Sequence, residues 1–457
     1  MDALLQQVQQ AGVIGAGGAG FPTYLKLDCQ VEWVLANGAE CEPLLYKDQA
    51  LMQRHATELF GGMLLAMEQV GAGKAAVGIK RKNADTIEIL ESCRPAQIEL
   101  LLMEDVYPAG DEVELIYEAT GRLPPAGGLP KEVGCLVNNV ESFINLFRAA
   151  QGQSVTQSMV TVHGEVNTPY TSWLPVGMSF GEALHLAGGP TCDDYVILVG
   201  GPLMGSISQD LDRPITKIDS GLLVLPTNGR VARYKMRPEA EVRRIGKSAC
   251  DQCSLCTSMC PRHLLGYPIQ PHLAMRSLQV SLTDNVGYAL AAQACSACNL
   301  CSMWSCPEGL DPSRVCTLTK QALRDNDLWQ TPAQLQAQAT TVHPLRSYRG
   351  VPTKRLTQRL ELTGYAKVKA SFQPLSQLIE AASNDSSKPR PQQVRIPLSQ
   401  HIGAPAQAIV AVGDVVEAGQ MIGQPTPETL SVAIHASING TVTAVGDTIE
   451  ITQQMDG

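Results

Sequence analysis

The chain has 457 residues, of which 44% are hydrophobic and 40 are glycines, and this composition suits a multidomain α/β protein with a sizeable core. Its formal net charge of −9, with no basic stripe, excludes a nucleic-acid surface. The best apolar candidate for a membrane span, near 59–70, is interrupted by Glu68, and no basic residue precedes Lys26. We therefore expect a cytoplasmic protein without a transmembrane segment.

A glycine-rich stretch at residues 12–22 follows a short amphipathic opening at 4–10. Its glycines allow the backbone to approach a ligand closely and to direct N–H groups at a phosphate. The spacing is not the standard dinucleotide fingerprint, because no clear strand precedes it. On its own, this stretch is a weak indication of a phosphate-bearing ligand.

Strands and helices alternate through the region that follows. The predicted strands are 32–37, 75–79, 98–103 and 135–137, and the predicted helices are 48–70 and 83–92. This alternation indicates a mostly parallel sheet covered by helices. Ligands bind at the carboxyl ends of such strands, where polar loops lie at 37–43, 107–112 and 138–141.

The second region has the pattern of a β-grasp module. Strand patterns at 159–166 and 173–178 flank a turn, and a short helix at 180–187 precedes a strand at 195–199. The pattern resembles the soluble-ligand-binding β-grasp (SLBB) domain. We expect it to be a docking scaffold.

Eight cysteines form the strongest motif in the chain: Cys250-x2-Cys253-x2-Cys256-x3-Cys260-Pro261, then Cys295-x2-Cys298-x2-Cys301-x4-Cys306-Pro307. Three thiolates at this spacing surround one iron–sulfur cube, and the fourth, followed by proline, reaches the other cube. The first [4Fe–4S] cluster is therefore assigned to Cys250, Cys253, Cys256 and Cys306, and the second to Cys295, Cys298, Cys301 and Cys260. Two zinc sites are the main alternative, because zinc held by four cysteines also uses x2 pairs.

The C-terminal region resembles the barrel–sandwich hybrid of biotinyl and lipoyl domains. The similar stretches are 412–423 and 434–442, and they follow a polar, proline-containing linker at 383–391. Biotinyl and lipoyl domains carry their cofactor on a lysine, whereas residues 396–457 contain none. Covalent biotin or lipoate is thus excluded, and a structural or docking role is expected.

The loops of the first region resemble those of the NADH-oxidising flavoprotein subunit of respiratory complex I. Residues 15–23 with Lys26 resemble its FMN-binding glycine loop, residues 37–43 with Lys47 its flavin-contacting loop, and residues 138–141 its later flavin motif. The resemblance implies that FMN is held by Gly15, Gly17, Gly18, Gly20, Lys26, Asn37, Glu40, Glu42, Lys47, Asn138, Asn139 and Glu141.

The same resemblance implies a site for NADH. Gly110-Asp111-Glu112 stands where that family has Gly-Glu-Glu, so Glu112, together with Asp111, is expected to accept hydrogen bonds from NADH. A plainer interpretation remains open for Asp111, Glu112 and Glu141, because acids at helix starts are favoured by the helix dipole.

Taken together, these parts resemble the family shared by the C subunit of the Rnf electron-transport complex and the cobalamin reductase of bacterial propanediol-utilisation microcompartments. The C-terminal position of the sandwich hybrid, the x4 spacing in the second cysteine motif and the strings 37–43, 106–112 and 260–264 favour the reductase. The resemblance implies that electrons pass from NADH through FMN and two [4Fe–4S] clusters to a corrinoid. The alternative is an Rnf-type subunit that relays electrons to a ferredoxin or another protein partner.

The implied partners are a corrinoid or a corrinoid-binding adenosyltransferase, and microcompartment shell proteins, which would place the protein inside a microcompartment. The expected fold class is α/β multidomain. The expected domains are a Rossmann-like FMN/NADH domain at 1–150, an SLBB β-grasp domain at 155–235, a ferredoxin-like α-helical domain with two clusters at 240–330, a linker region at 331–394 and an all-β barrel–sandwich hybrid at 395–457.

Overall fold

A computed structural model describes residues 2–18, 20–282, 284–383 and 393–453. Its first domain alternates helices and strands, as the sequence predicts. In chain order these are α1 (Ala3–Gln10), α2 (Thr23–Leu27), β1 (Trp33–Asn37), α3 (Lys47–Arg54), α4 (Ala56–Val70), β2 (Lys74–Lys80), α5 (Ala84–Cys93), β3 (Ile98–Met103), β4 (Val106–Tyr107), α6 (Glu112–Thr120), β5 (Cys135–Asn139) and α7 (Val140–Ala150).

Parallel pairing brings the ends of the strands together at one edge of the sheet. The strand order is β3-β2-β1-β5, and β1 pairs in parallel with both β2 and β5. Because side chains alternate along a strand, Val34 and Ala36 of β1 face the core beneath α4 and α7, whereas Leu35 faces the core beneath α6. In register, Asn37 lies opposite Gly78 on one side and Asn139 on the other.

The helix expected at 48–70 is two helices. The backbone of His55 is not helical, with φ −127° and ψ 30°, and it separates α3 from α4. The ring of His55 bonds to Glu58 at 2.8 Å and accepts from Trp173 Nε1 at 3.1 Å, so a contact with the second domain stabilises the break.

The second domain has the predicted β-grasp arrangement. Its elements are β6 (Gln157–Gly164), β7 (Tyr170–Pro175), α8 (Phe180–Leu186), β8 (Tyr195–Val199), β9 (Ser206–Ser208), β10 (Gly221–Pro226) and α9 (Arg230–Lys235). The sheet, in the order β7-β6-β10-β8-β9, is mixed, because β10 runs parallel to β6 and antiparallel to β8. Ser179 and Glu182 form a capping box at the start of α8.

The cysteine-rich domain consists of short helices, as expected around the clusters. Pro261, Pro271 and Pro312 each occupy the first position of a helix, where a missing N–H has no cost. The helices are α10 (Glu239–Ala249), α11 (Leu255–Ser258), α12 (Pro261–Leu264), α13 (Pro271–Arg276), α14 (Val286–Leu290), α15 (Pro312–Asp325) and α16 (Pro332–Gln336), with a π-helical turn at Cys301–Ser305.

The region expected to be a linker at 331–394 contains short helices and strands, and some of them pack against earlier domains. Strand β11 (Val351–Pro352) pairs with β4 of the first domain, and α17 (Thr353–Arg359) follows it. Helix α18 (Leu375–Ser383) places Leu378 in the β-grasp core. Val351, Leu356 and Leu378 are buried against earlier domains, which composition alone did not reveal, whereas Leu345, Tyr348 and Val368 are exposed. The part of the linker at 384–392 lies outside the described residues.

The C-terminal domain is the expected β sandwich. Its strands are β12 (Gln393–Pro397), β13 (Gln407–Ala408), β14 (Val415–Val416), β15 (Met421–Gln424), β16 (Ile434–His435), β17 (Gly440–Val445) and β18 (Thr448–Thr452). One sheet has the order β12-β18-β17-β14 and the other β13-β15-β16, and apolar side chains fill the space between them. Among the described residues, no helix combines the length and apolar character that a membrane span requires.

Candidate functional site

The glycine-rich stretch forms a tight loop over the carboxyl edge of the parallel sheet. Gly15 N–H donates to the Phe21 carbonyl at 2.9 Å, and Gly20 N–H donates to the Gly15 carbonyl at 3.2 Å. Gly18 and Gly20 have φ values of 101° and 64°, which favour glycine. A Cβ on Gly18 would meet no atom within 4 Å, so this side of the loop is open to a ligand.

Beside the loop, Asn138 has the features of a ligand-binding amide. Asn138 is 2% exposed, yet neither its Nδ2 nor its Oδ1 has a hydrogen-bond partner among the described residues. An unpaired buried polar group costs about 1–3 kcal/mol, so a ligand with both a donor and an acceptor is indicated. The ring of FMN carries carbonyl groups and an N–H, and the open glycine loop suits its phosphate. The residues present therefore fit FMN.

Under the loop lies a buried network around Lys47. Lys47 Nζ is 2.9 Å from Glu141 and 3.0 Å from Asp48, and it donates to Asn139 Oδ1 at 3.3 Å. Burial by itself would lower the pKa of Lys47, but Asp48 and Glu141 raise it. Glu141 also accepts from the N–H of Met159 in β6 at 3.3 Å. The structure thus commits Lys47, Asn139 and Glu141 to protein partners, as support beneath the loop.

The polar loop after β1 is likewise engaged with its surroundings. Asn37 Nδ2 donates to the Gly110 carbonyl at 2.8 Å, which joins two of the predicted site loops. The carboxylate of Glu42 accepts from the N–H groups of Leu203 and Met204 at 2.8 and 2.7 Å. The predicted flavin contact Glu42 is therefore held by a loop of the β-grasp domain.

Glu40, on the same loop, is an acid with an altered proton affinity. Its Oε1 accepts from the Glu42 N–H at 2.9 Å. Burial, followed by repulsion from Asp48, raises the pKa of Glu40 to about 8. The raised pKa favours the protonated carboxyl, which can donate a hydrogen bond, whereas an ionised glutamate only accepts.

The two acids expected near NADH have different environments. Asp111 caps α6 by accepting from the Val113 N–H at 2.9 Å, and its other oxygen is 3.0 Å from Arg262 Nη2. Both oxygens of Asp111 are therefore occupied. The carboxylate of Glu112 makes no hydrogen bond within the described ranges, and burial raises its pKa, an effect that Lys26 partly offsets. Lys26 donates to the Val137 carbonyl at 2.9 Å. Of the two acids, Glu112 is the one available to a ligand.

The eight motif cysteines gather into two groups that cross over between the motifs. Cys306 lies beside Cys250 and Cys253, and Cys256 lies beside Cys306. These proximities place the four residues in one group. In the other group, Cys260 lies near Cys295, and Cys298 and Cys301 lie near both, while Cys301 is also near Cys256 of the first group. The assignment of four cysteines to each cluster stays a prediction from their spacing.

The backbone around both groups is shaped alike. Gln252 and Ser254 flank Cys253 with φ values of 58° and 62°, and Ala297 and Asn299 flank Cys298 with 55° and 64°. Left-handed residues alternating with right-handed ones form concave nests of N–H groups that suit anionic centres such as iron–sulfur clusters. The Ala297 N–H, for example, donates to Cys295 Sγ at 3.3 Å.

Within the described ranges, no three or more His, Cys, Asp or Glu side chains converge on a single metal-ion position. The choice between iron–sulfur clusters and zinc ions therefore rests on the spacing of the cysteines in the sequence.

The second cysteine group adjoins the first domain. Tyr107 donates its hydroxyl to the Cys298 carbonyl at 2.7 Å, and the Asp111–Arg262 pair links the start of α6 to the residue after Pro261. By contrast, Cys253 of the first group is exposed.

Two residues at the site escaped the sequence analysis. Tyr107 could have been suspected from its place in the loop before Asp111. The buried Cys316 packs against Cys295, and no spacing signal in the sequence marks it.

Comparison with known proteins identifies the domains of the chain. The Nuo51 FMN-binding domain model matches residues 8–148, the SLBB domain 159–206, the 4Fe-4S dicluster domain 249–311 and the RnfC barrel sandwich hybrid domain 380–456. The matches confirm the predicted fold class, and the chain contains an FMN-binding domain and a 4Fe-4S dicluster domain.

Among curated proteins, the chain is 40% identical to the cobalamin reductase PduS of Salmonella typhimurium, over 98% of this chain and 95% of that protein. It belongs to the PduS cobalamin reductase family. PduS of Citrobacter freundii is 39% identical over 98% of this chain and 94% of its own length. The C subunit of the Na(+)-translocating ferredoxin:NAD(+) oxidoreductase complex of Acetobacterium woodii is more distant, at 33% identity over 58% of each chain. The predicted family is thereby confirmed.

Proposed function

We propose that this chain is an NADH-dependent reductase that delivers electrons to a corrinoid through FMN and two [4Fe–4S] clusters. The observation that carries the proposal is the direct contact between the candidate flavin domain and the second cysteine group, through Tyr107 and Cys298 at 2.7 Å. Bound at the glycine loop and Asn138, FMN would supply the conversion between the two-electron donor NADH and the single-electron transfers that iron–sulfur clusters require. Membership of the PduS family supports cobalamin as the acceptor.

The residues of the first domain have separate tasks in this proposal. Gly18 leaves room for the FMN phosphate, and the unpaired amide of Asn138 bonds to the flavin. The buried Lys47–Glu141 pair keeps the end of β5 fixed beneath the loop. Glu112, with no hydrogen bond among the described residues, accepts hydrogen bonds from NADH.

The order of the relay runs against the order of the motifs in the sequence. The group of Cys260, Cys295, Cys298 and Cys301 adjoins the flavin domain and would receive electrons first. The group that includes the exposed Cys253 lies toward solvent, where an acceptor can approach. The crossing of the motifs at Cys260 and Cys306 links the two groups through a short run of covalent structure.

One experiment tests the function. Anaerobically reconstituted protein is mixed with NADH and aquacobalamin, and the corrin absorbance is followed. We expect NADH-dependent reduction of the corrinoid at a rate proportional to the concentration of the protein. No reduction by protein that carries its full flavin and iron would contradict the proposal.

A second candidate is favoured by the 33% identity to ferredoxin:NAD(+) oxidoreductase subunits. In that case the acceptor is a protein, and the corrinoid is not a substrate. Ferredoxin in place of aquacobalamin separates the two, because an Rnf-type subunit should prefer ferredoxin as the acceptor.

The remaining partners are also part of the proposal. A corrinoid-binding adenosyltransferase would receive the reduced corrinoid, and shell proteins of a microcompartment would enclose the enzyme. Both follow from the resemblance of the sequence to the cobalamin reductase of propanediol-utilisation microcompartments. Co-purification from cells that express the tagged chain with these proteins is the test, and a chain recovered alone would count against them.

A further inference from the structure

The C-terminal sandwich domain contacts the glycine loop and the helix that leads into it. The Ile402 N–H donates to the Gly20 carbonyl at 3.1 Å. The Ala433 N–H donates to the Gln9 carbonyl at 3.1 Å, and Gln9 Nε2 donates to the Ser431 carbonyl at 3.0 Å. A domain that lacks the cofactor-bearing lysine of biotinyl and lipoyl domains is thus attached to the candidate flavin site.

A buried lysine of the second domain lies within this contact. Lys217, 3% exposed, donates through Nζ to the Gly12 carbonyl at 2.8 Å and the Ala433 carbonyl at 3.3 Å. Its backbone N–H donates to Gln400 Oε1 at 3.1 Å. Lys217 therefore joins three domains immediately before the glycine loop.

Ala433 and Lys217 approach the backbone at position 12 so closely that only glycine fits there. Gly12 has a φ of 73°, and a Cβ there would lie 2.3 Å from the Ala433 oxygen and 2.5 Å from Lys217 Nζ. Gly20 is also confined, since its Cβ would lie 3.1 Å from Ile218 and 3.4 Å from the Gln400 carbonyl oxygen. Both ends of the loop are thus tightly enclosed.

Burying this lysine is unfavourable in itself. No carboxylate forms an ion pair with Lys217 in the described part of the chain, and burial lowers its pKa to about 7. An amino group in such a place needs hydrogen-bond partners, and those it has are the carbonyls of Gly12, before the loop, and Ala433, in the C-terminal domain.

We propose that the C-terminal domain and Lys217 form a clamp that holds the glycine loop in its FMN-binding conformation, with Lys217 as a positioning residue. The inference rests on the proposed function, in that FMN is the ligand of the loop. Gly18 and Gly20 need left-handed backbone, which a free glycine chain adopts only part of the time. If the clamp is removed, the binding-competent fraction falls and the apparent affinity for FMN falls in proportion.

Lys217→Met is the principal test, because methionine keeps the length of the side chain and removes its donors. Gln400→Leu is a second variant, which removes the acceptor for the Lys217 N–H and lies away from the loop's open side. Ser437→Ala is the matched control. Ser437 donates to the Val176 carbonyl at 2.6 Å, so its loss weakens a buried contact of the same domain that does not involve the loop.

Two measurements are made on full-length, flavin-free protein with its clusters in place. Titration with FMN, followed by flavin fluorescence, gives the dissociation constant. Hydrogen exchange gives the protection of the amides in residues 12–20. We expect the dissociation constant to rise about tenfold in Lys217→Met, which corresponds to a competent fraction of about one tenth. Exchange at 12–20 should become faster, iron content should be unchanged, and Ser437→Ala should resemble the wild type in both.

An FMN dissociation constant within about twofold of wild type in Lys217→Met, with unchanged exchange at 12–20, would overturn the clamp. Equal weakening by Ser437→Ala would overturn the role of Lys217, because general loosening of the domain would then explain the effect. If Lys217→Met does not fold, the FMN dissociation constant of Gln400→Leu and its hydrogen exchange at 12–20 test the clamp by the same criteria. Wild-type protein that binds no FMN would refute the proposed function instead, and the exchange measurement would still test whether the clamp orders the loop.

Discussion

Replacement of Glu112 by glutamine is expected to weaken NADH binding and to leave the cofactors in place. Glu112 is the first residue of α6, partly buried, with no hydrogen bond among the described residues. A donor on NADH that bonds to its carboxylate would form a charge-assisted hydrogen bond worth about 1.5–3 kcal/mol. Glutamine keeps the shape and loses the charge. The KM for NADH should therefore rise about ten- to a hundredfold.

The pH dependence of the wild type provides an independent check. Burial raises the pKa of Glu112, partly offset by Lys26. The protonated carboxyl resembles the amide of glutamine, so the wild-type KM for NADH should rise as the pH falls through this raised pKa. In Glu112→Gln, the KM should stay constant over the same range, because the group can no longer titrate. Steady-state NADH oxidation with ferricyanide as the acceptor, measured over this pH range, gives the KM for NADH of the wild type and of Glu112→Gln.

Asp111→Asn is the matched control. Asparagine can still cap α6, and the change removes the charge that pairs with Arg262 at 3.0 Å. We expect lower thermal stability and a KM for NADH within about twofold of wild type. A Glu112→Gln protein with normal NADH kinetics and a normal pH profile would refute the reasoning and remove Glu112 from the site. Loss of flavin or iron from the variant would show a structural role instead.

Three further outcomes are expected. Cys306→Ala should destroy the EPR signal of the cluster held by the first motif and spare that of the other, and loss of only the second motif's cluster would contradict the assignment. Asn138→Leu should lower the affinity for FMN, because it removes an amide that bonds to the flavin, and the variant should keep its normal iron content. An unchanged flavin content in this variant would show that FMN binds elsewhere. Burial and Lys217 lower the pKa of His401 to about 4 and of His435 to about 3. These rings stay neutral when folded and protonate near pH 6.5 when unfolded, so stability should fall as the pH drops from about 6.5 to 4. His435→Gln should reduce that slope in thermal unfolding curves, and an unchanged slope would count against this origin.

Local patterns in the sequence predicted much of the architecture. The alternation of strands and helices was sufficient for the parallel sheet, because each βαβ unit is formed by neighbouring residues. The spacing of the cysteines indicated the 4Fe-4S dicluster domain, since the reach of a Cys-Pro turn is a local property, and the crossed assignment of its ligands stays a prediction. The open glycine loop was likewise visible as a run of glycines.

Contacts between distant residues were not predictable in this way. Glu42 matched a flavin motif, but its carboxylate accepts from the amides of Leu203 and Met204, on a loop of another domain. The region at 331–383 had no strong periodicity, and the burial of Val351 and Leu378 depends on the surfaces of other domains that they contact. Lys217 stands in no motif, and its role emerges only when Gly12 and Ala433 are seen at either side of its amine.

The most direct test of the account is the path of electrons from NADH to the corrinoid. In anaerobic stopped-flow experiments, wild-type protein and Cys306→Ala are mixed with NADH, with either ferricyanide or aquacobalamin as the acceptor. The account predicts that both proteins bleach the flavin with NADH and reduce ferricyanide, whereas only the wild type reduces the corrinoid at full rate. Corrinoid reduction by Cys306→Ala at the wild-type rate, or flavin in the wild type that NADH does not reduce, would contradict it.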